Sequence, residues 1–254
     1  VMQFDWTIGR IMKTLDRLGL AENTLLIITS DNGGYPSSGS YGGGEVKYHP
    51  AAPWRGHKGT AYEGGLRVPF IARMPGLIPE GAVSGEPIML SDMAASFAAL
   101  TDYELKDNEA LDSFNILPAL YGKGGAGEIR PYILGGNRAL HSLGLREGNW
   151  KLVFYPGDEK MELYNLKDDP AEENNLAEHM PEKVWRLRAL LENHFTSGSS
   201  RKGAKGRRKS LAEIFEEKQR RNEIIERRFG KSGSDNKEGK PLLRKPVGEI
   251  KKAR

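Results

Sequence analysis

Apolar residues recur at three- and four-residue steps through the opening of the chain, at Ile8, Ile11, Met12, Leu15 and Leu18, and Gly19 follows the last of them. That spacing predicts an amphipathic helix ending at Gly19. The chain opens at Val1 inside this pattern, so a fragment or processed product is expected. Residues 24–29 are then a short continuous run rich in Leu and Ile. This predicts a strand buried on both faces, as in a parallel sheet. It ends at Ser30-Asp31-Asn32-Gly33-Gly34, and the glycine-rich stretch to Gly44 and residues 50–59 read as loop. Residues 66–73 predict a second strand, with Pro69 at a sheet margin or bulge. Residues 91–100 predict a helix capped by Ser91 or Asp92, and residues 132–134 a further strand.

Downstream the pattern becomes antiparallel. Residues 149–155 predict a strand, Pro156-Gly157-Asp158 a turn and residues 161–166 a second strand, together a hairpin with Trp150 and Tyr164 as core aromatics. After Asp168-Asp169-Pro170 a helix carries Val184, Leu187, Leu191 and Phe195. Residues 197–209 have no hydrophobic period, which predicts disorder. One helix is expected in the tail over 210–229, with Ser210 and Glu213 as a capping box and Gly230 as its stop. The remainder, to Arg254, again reads as disordered. The expected fold class is α/β with an α+β appendage: a body over 1–140, a small antiparallel subdomain with a closing helix over 141–196, and a basic tail over 197–254.

Charge divides the chain the same way. Of its 254 residues, 197–254 hold 19 Lys and Arg against 8 Asp and Glu, while 1–196 hold 19 against 26. The acidic body does not read as a nucleic-acid binder, and the basic tail suits polyanions such as sulfated glycans, nucleic acid or an anionic membrane surface. No run of about 18 apolar residues is present, so no transmembrane segment is expected. The absence of cysteine excludes disulfides, a thiol nucleophile and zinc–thiolate sites, and leaves the compartment open.

Two segments carry candidate chemistry. Asp31 and Asn32, at a strand's carboxyl end, offer a carboxylate and an amide oxygen, which suit a hard cation such as Ca²⁺ or Mg²⁺; Asp-Asn-Gly-Gly is equally a good turn. Arg55, His57, Lys58 and Arg67 are cations set among glycines in an otherwise acidic body, an arrangement that suits an oxyanion and is also compatible with a solvated loop.

Together these segments resemble the sulfatase family of the alkaline-phosphatase-like superfamily. The matching residues, in family order, are Asp5, Gly9 and Leu18-Gly19-Leu20, then Thr29-Ser30-Asp31-Asn32-Gly33, and Lys58-Gly59-Thr60 with Tyr62-Glu63-Gly64-Gly65 and Arg67-Val68-Pro69. Ser91-Asp92-Met93, Arg146-Glu147-Gly148-Asn149-Trp150-Lys151-Leu152 and Leu163-Tyr164-Asn165-Leu166 continue the series.

The resemblance implies part of an alkaline-phosphatase-like sheet sandwiched by helices, followed by the small antiparallel subdomain. It implies sulfuric ester hydrolysis, with Asp31 and Asn32 as two ligands of a divalent cation, usually Ca²⁺, and Lys58 on the sulfate ester. His57 is a candidate substrate contact, and Glu63 and Arg67 are expected to hold the lysine loop through a salt bridge or backbone contacts. The implied substrate is a sulfate ester, including a sulfated polysaccharide, and the implied compartment is periplasmic, extracellular or lysosome-like. The family's nucleophile, a formylglycine made from Cys or Ser in a Cys/Ser-x-Pro/Ala-x-Arg pattern, has no match among these residues. It is therefore expected in an N-terminal half, without which this chain is inactive. The alternatives are a phosphodiester or phosphonate hydrolase of the same superfamily, and a non-catalytic sulfatase-like chain that binds polyanions through its tail.

Overall fold

The computed structural model describes residues 2–35, 51–123, 129–136, 141–201, 203–206 and 209–229. The chain divides into two compact units, residues 1–215 and 216–254. The predicted opening helix is α1 (Met2–Arg17), and none of its residues is buried. A 3₁₀ turn (Ala21–Asn23) leads into β1 (Leu26–Thr29), because Thr24 caps that turn instead of entering the strand. β1 pairs with β2 (Phe70–Arg73), with Leu26 opposite Arg73 and Thr29 opposite Phe70. The pairing is antiparallel and both strands are only partly buried, which corrects the expectation of a parallel strand enclosed on both faces. A continuous apolar run signals burial but not strand direction. Leu66 belongs not to β2 but to the short helix α2 (Glu63–Leu66).

Residues 90–92 form a 3₁₀ turn that runs into α3 (Met93–Leu100). Asp92 stands at the cap position, but its carboxylate reaches back to the Met89 amide (2.7 Å) and across to the Phe114 amide (3.0 Å). It also pairs with the buried guanidinium of Arg130. One carboxylate thereby ties three stretches of chain together. The short helix α4 (Leu117–Leu120) follows.

The second sheet has four strands in sequential antiparallel order: β3 (Ile133–Gly136), β4 (Leu143–Glu147), β5 (Trp150–Tyr155) and β6 (Lys160–Asn165). The predicted hairpin is β5–β6, and β4 was not foreseen. The sheet also takes in β3, which lies before residue 141, the expected start of this subdomain. Strand alternation sorts its faces. Leu143, Leu145, Leu152, Phe154 and Leu163 pack with Val184, Leu187 and Leu191 of α5 (Pro181–Ser197). On the other face, Val153 and Tyr164 pack against Ala61, with Tyr62 and Tyr155 beside them. At Gly144 on that face, a Cβ would stand 2.7 Å from the Ala61 carbonyl oxygen, so only glycine lets the segment lie this close.

The described residues among 197–209, expected to be disordered, are held to the body. The backbone amide and hydroxyl of Ser200 both donate to Asp112 Oδ1 (2.8 Å each), and the Arg201 guanidinium donates to the carbonyls of Lys106 (2.7 Å) and Glu109 (2.9 Å). These polar anchors need no hydrophobic period. Leu211, at the start of α6 (Leu211–Phe229), is buried in the core. The expected capping box is present: the Ser210 amide donates to Glu213 Oε2 (2.7 Å) and the Glu213 amide to Ser210 Oγ (3.2 Å). The expected stop at Gly230 and the residues to Arg254 lie outside the described residues, as do residues 36–50.

Candidate functional site

The chain leaves β1 through Ser30, whose hydroxyl donates to the Asn32 carbonyl (3.2 Å). Asp31 is exposed and Asn32 half-buried. The next two residues join the lysine segment through the backbone alone. The Gly33 amide donates to the Gly65 carbonyl (3.1 Å), and the Lys58 amide donates to the Gly34 carbonyl (2.9 Å). Glycine is what lets these backbones meet. A Cβ at Gly33 would stand 2.0 Å from Gly64 O, and one at Gly65 would stand 2.4 Å from Thr60 O. The start of the lysine segment is tied internally. Thr60 Oγ1 donates to the His57 carbonyl (2.8 Å), and His57 Nδ1 lies 2.9 Å from the Lys58 carbonyl oxygen. The side chains of His57 and Lys58 are exposed.

Behind this seam lies a buried ionic cluster. Glu63, 4% exposed, accepts from Arg67 Nε (2.6 Å) and from the Lys151 ammonium (2.8 Å), and lies 3.5 Å from Arg146. The expected Glu63–Arg67 bridge is therefore present. Burial alone would raise the Glu63 carboxyl, but Lys151 and Arg67 beside it hold it below the usual carboxylate range. Lys151 also pairs with Glu172 at 3.0 Å, and Glu172 Oε2 accepts the Glu63 amide at 2.7 Å. For Glu172 burial prevails and pushes its carboxyl up. Arg55 closes the segment onto the sheet, donating to the Tyr164 hydroxyl (2.9 Å) and the Glu172 carbonyl (2.8 Å).

A cavity of about 370 Å³ opens beside the cluster, lined in part by Asp31, Arg67, Met89, Arg146 and Lys151. Asn32, His57 and Lys58 are not among its lining residues. The sequence reading missed Lys151, Glu172 and Arg146 as parts of the site. Lys151 left one trace, a single cation inside the apolar run of β5.

The oxygen donors of Asp31 and Asn32 have the chemistry of a Ca²⁺ site, but two fall short of the six to eight that Ca²⁺ takes. Among the described residues, no group of three or more His, Asp or Glu is placed to hold a metal ion.

The chain thus sets an antiparallel four-stranded sheet, backed by α5, against a lysine segment that is stitched through its backbone to the Asp31-Asn32 loop. Comparison with known proteins makes the assignment. Residues 1–103 match the sulfatase family model, and residues 56–197 match that of the N-sulphoglucosamine sulphohydrolase C-terminal region. The chain belongs to the sulfatase family and represents its C-terminal portion. It is 38% identical over 211 residues to an N-acetylgalactosamine-6-O-sulfatase of Bacteroides thetaiotaomicron, covering 76% of this chain and 40% of that protein. To the steryl-sulfatase of Rattus norvegicus it is 37% identical over 127 residues, covering 48% of this chain and 21% of that one. A solved structure connected with glycosaminoglycan metabolism by Bacteroides thetaiotaomicron superposes with a TM-score of 0.66 at 36% identity, over 75% of this chain and 42% of its own. The chain thus spans less than half the length of these relatives.

Proposed function

We propose that these residues form the C-terminal part of a sulfuric ester hydrolase acting on sulfated sugars. The observation that carries this is the backbone seam in a sulfatase-family chain: Gly33 to Gly65 and Gly34 to Lys58 bring the Asp-Asn loop and the lysine segment together. Asp31 and Asn32 serve as two oxygen ligands of a Ca²⁺ ion, completed by donors outside this chain. Such an ion, when bound, draws charge from the sulfate oxygens. Lys58 directs its ammonium at the sulfate ester and stabilises the charge that builds on the departing oxygen; His57 contacts the substrate beside it. The nucleophile, a formylglycine by family resemblance, is assigned to the N-terminal half, so the chain alone is inactive. A sulfated-sugar substrate is supported by the similarity to the Bacteroides N-acetylgalactosamine-6-O-sulfatase. The basic tail gives such a polymer an electrostatic foothold.

The test is turnover of an aryl sulfate and a phosphate diester by the full-length polypeptide, with Ca²⁺ and with chelator. Asp31→Ala and Asn32→Ala should abolish Ca²⁺-dependent sulfate release. Lys58→Ala should lower kcat by about 10²-fold or more, with Lys58→Arg restoring only part of it. Sulfate release indifferent to all three substitutions, or a preference for the phosphate diester, would overturn the reading.

A further inference from the structure

Lys151 is a buried charged group that the proposed chemistry leaves unused. It stands on the face of β5 turned away from α5, and its side chain is 1% exposed. Enclosing an ammonium this way is costly unless its charge is met at close range. Two carboxylates meet it, and both come from outside the four-stranded sheet: Glu63 opens α2, and Glu172 follows β6 in left-handed backbone (φ 56°). Because Glu172 also accepts the Glu63 amide, the ammonium, the two carboxylates and the first N–H of α2 form one closed set. Two residues further on, the Gly65 carbonyl receives the Gly33 amide, and five residues back stands Lys58, bonded to Gly34.

We propose that Lys151 is a positioning residue. By holding Glu63 against the sheet, it fixes the α2 end of the lysine segment on the Asp31-Asn32 loop, and so sets where Lys58 stands. This rests on the reading of Lys58 as the group that meets the sulfate ester. An apolar side chain of similar length would fill the space but take the ammonium from between the two carboxylates, leaving Glu63 to Arg67 and Arg146 on its other side. The sheet is gripped from its other side by α5 through Leu152 and Phe154, so α2 is the part that would move.

Amide hydrogen exchange on the chain itself tests the anchor without needing activity. In Lys151→Met, the Gly33 and Lys58 amides should exchange about 10-fold faster or more, while β4 and β5 amides keep their protection. Glu172→Gln keeps the Lys151–Glu63 pair, and should shift the same two amides in the same direction by less; it decides the matter if Lys151→Met does not fold. Unchanged Gly33 and Lys58 amides, or acceleration only in step with β4 and β5, would overturn the proposal. In the full-length enzyme, Lys151→Met should lower kcat by about 10-fold with KM within about 2-fold, and Lys151→Arg should recover part of it. A loss carried by KM alone would also overturn it. If the parent enzyme releases no sulfate, the functional reading fails, and the exchange result still decides the anchor.

Discussion

Replacing Gly33 with alanine puts one methyl group into the seam between the two motifs. The added carbon would stand 2.0 Å from Gly64 O, 2.8 Å from the Gly65 carbonyl carbon and 2.9 Å from that of Gly64. A carbon–oxygen contact relaxes at roughly 3.3–3.6 Å, so the facing backbones must part by more than about 1 Å. None of the three clashing atoms lies on a side chain that could swing away. Parting them sacrifices the Gly33–Gly65 bond (3.1 Å) and strains the Lys58–Gly34 bond (2.9 Å). Each such bond contributes about 1 kcal/mol net, and forced overpacking costs about 1–3 kcal/mol more. The expected destabilisation is therefore about 3–5 kcal/mol. Urea unfolding followed by circular dichroism measures it, with Gly9→Ala as control. Gly9 lies in α1 with nothing within 4 Å of an added Cβ, so there helix propensity should stabilise by up to about 1 kcal/mol. A Gly33→Ala chain within about 0.5 kcal/mol of the parent would refute the seam as drawn.

Further outcomes follow from the buried polar groups and the tail. Asp92→Asn leaves the Arg130 guanidinium, 2% exposed, without its carboxylate; urea unfolding should show a loss of about 3 kcal/mol or more. His194, held below its ordinary value by burial, against the pull of Asp112 and with the push of Arg130, stays neutral in the folded chain where the unfolded chain takes up a proton. Its contribution is therefore complete above about pH 6.5 and declines as pH falls toward the lowered folded value. Melting temperature should drop over that window, and His194→Gln should flatten the drop; equal slopes would refute it. Truncation after residue 215 should leave the first unit's stability unchanged, and in the full-length enzyme should raise KM for a sulfated polymer at low salt only. Truncation after residue 196 also removes Leu211 from the core, and should cost about 2 kcal/mol or more by the same unfolding assay.

Elements with a clean period were legible in the sequence: α1, the β5–β6 hairpin and α6 lie within a few residues of their expected positions, while α5 carries the expected Val184, Leu187, Leu191 and Phe195 but begins at Pro181 rather than directly after Pro170. What hid β4 was Gly144, a residue of low strand propensity set between Leu143 and Leu145. The same glycine is what admits the Ala61 carbonyl to the sheet, so the residue that spoiled the pattern is the one the packing needs. The segment after residue 197 misled for another reason. Ser200 and Arg201 bind the body through polar atoms aimed at Asp112 and at main-chain carbonyls, which no hydrophobic count registers. At the site, the family resemblance pointed to Glu63 and Arg67 as holding the lysine loop, by a salt bridge or backbone contacts, and the pair is a salt bridge. Lys151 and Glu172 were not legible, because their partnership depends on which face of β5 meets α2. That is a tertiary fact.

The two faces of the four-stranded sheet are held by different kinds of force. Toward α5 the contact is leucine against leucine, with Leu145, Leu152, Leu163, Leu187 and Leu191 all fully buried. Such a contact is strong but non-directional, and it tolerates small adjustments of register. Toward the lysine segment the buried apolar set shrinks to Ala61, Val153, Tyr164 and Leu166, and Lys151, Glu162, Glu63 and Glu172 occupy the rest. Each of these groups has a partner at a defined distance: Tyr62 Oη to Glu162 Oε2 at 2.7 Å, Tyr164 Oη to the same oxygen at 2.9 Å, and Lys151 to both remaining carboxylates. A charged interface of this kind gains little net stability over an apolar one, yet a slip of an ångström leaves buried charge unmatched and is penalised heavily. The adhesive work is therefore done on the α5 side, and the polar side holds the lysine segment to a single placement. Under the proposed function, a loop that presents Lys58 beside Asp31 and Asn32 needs that second kind of contact.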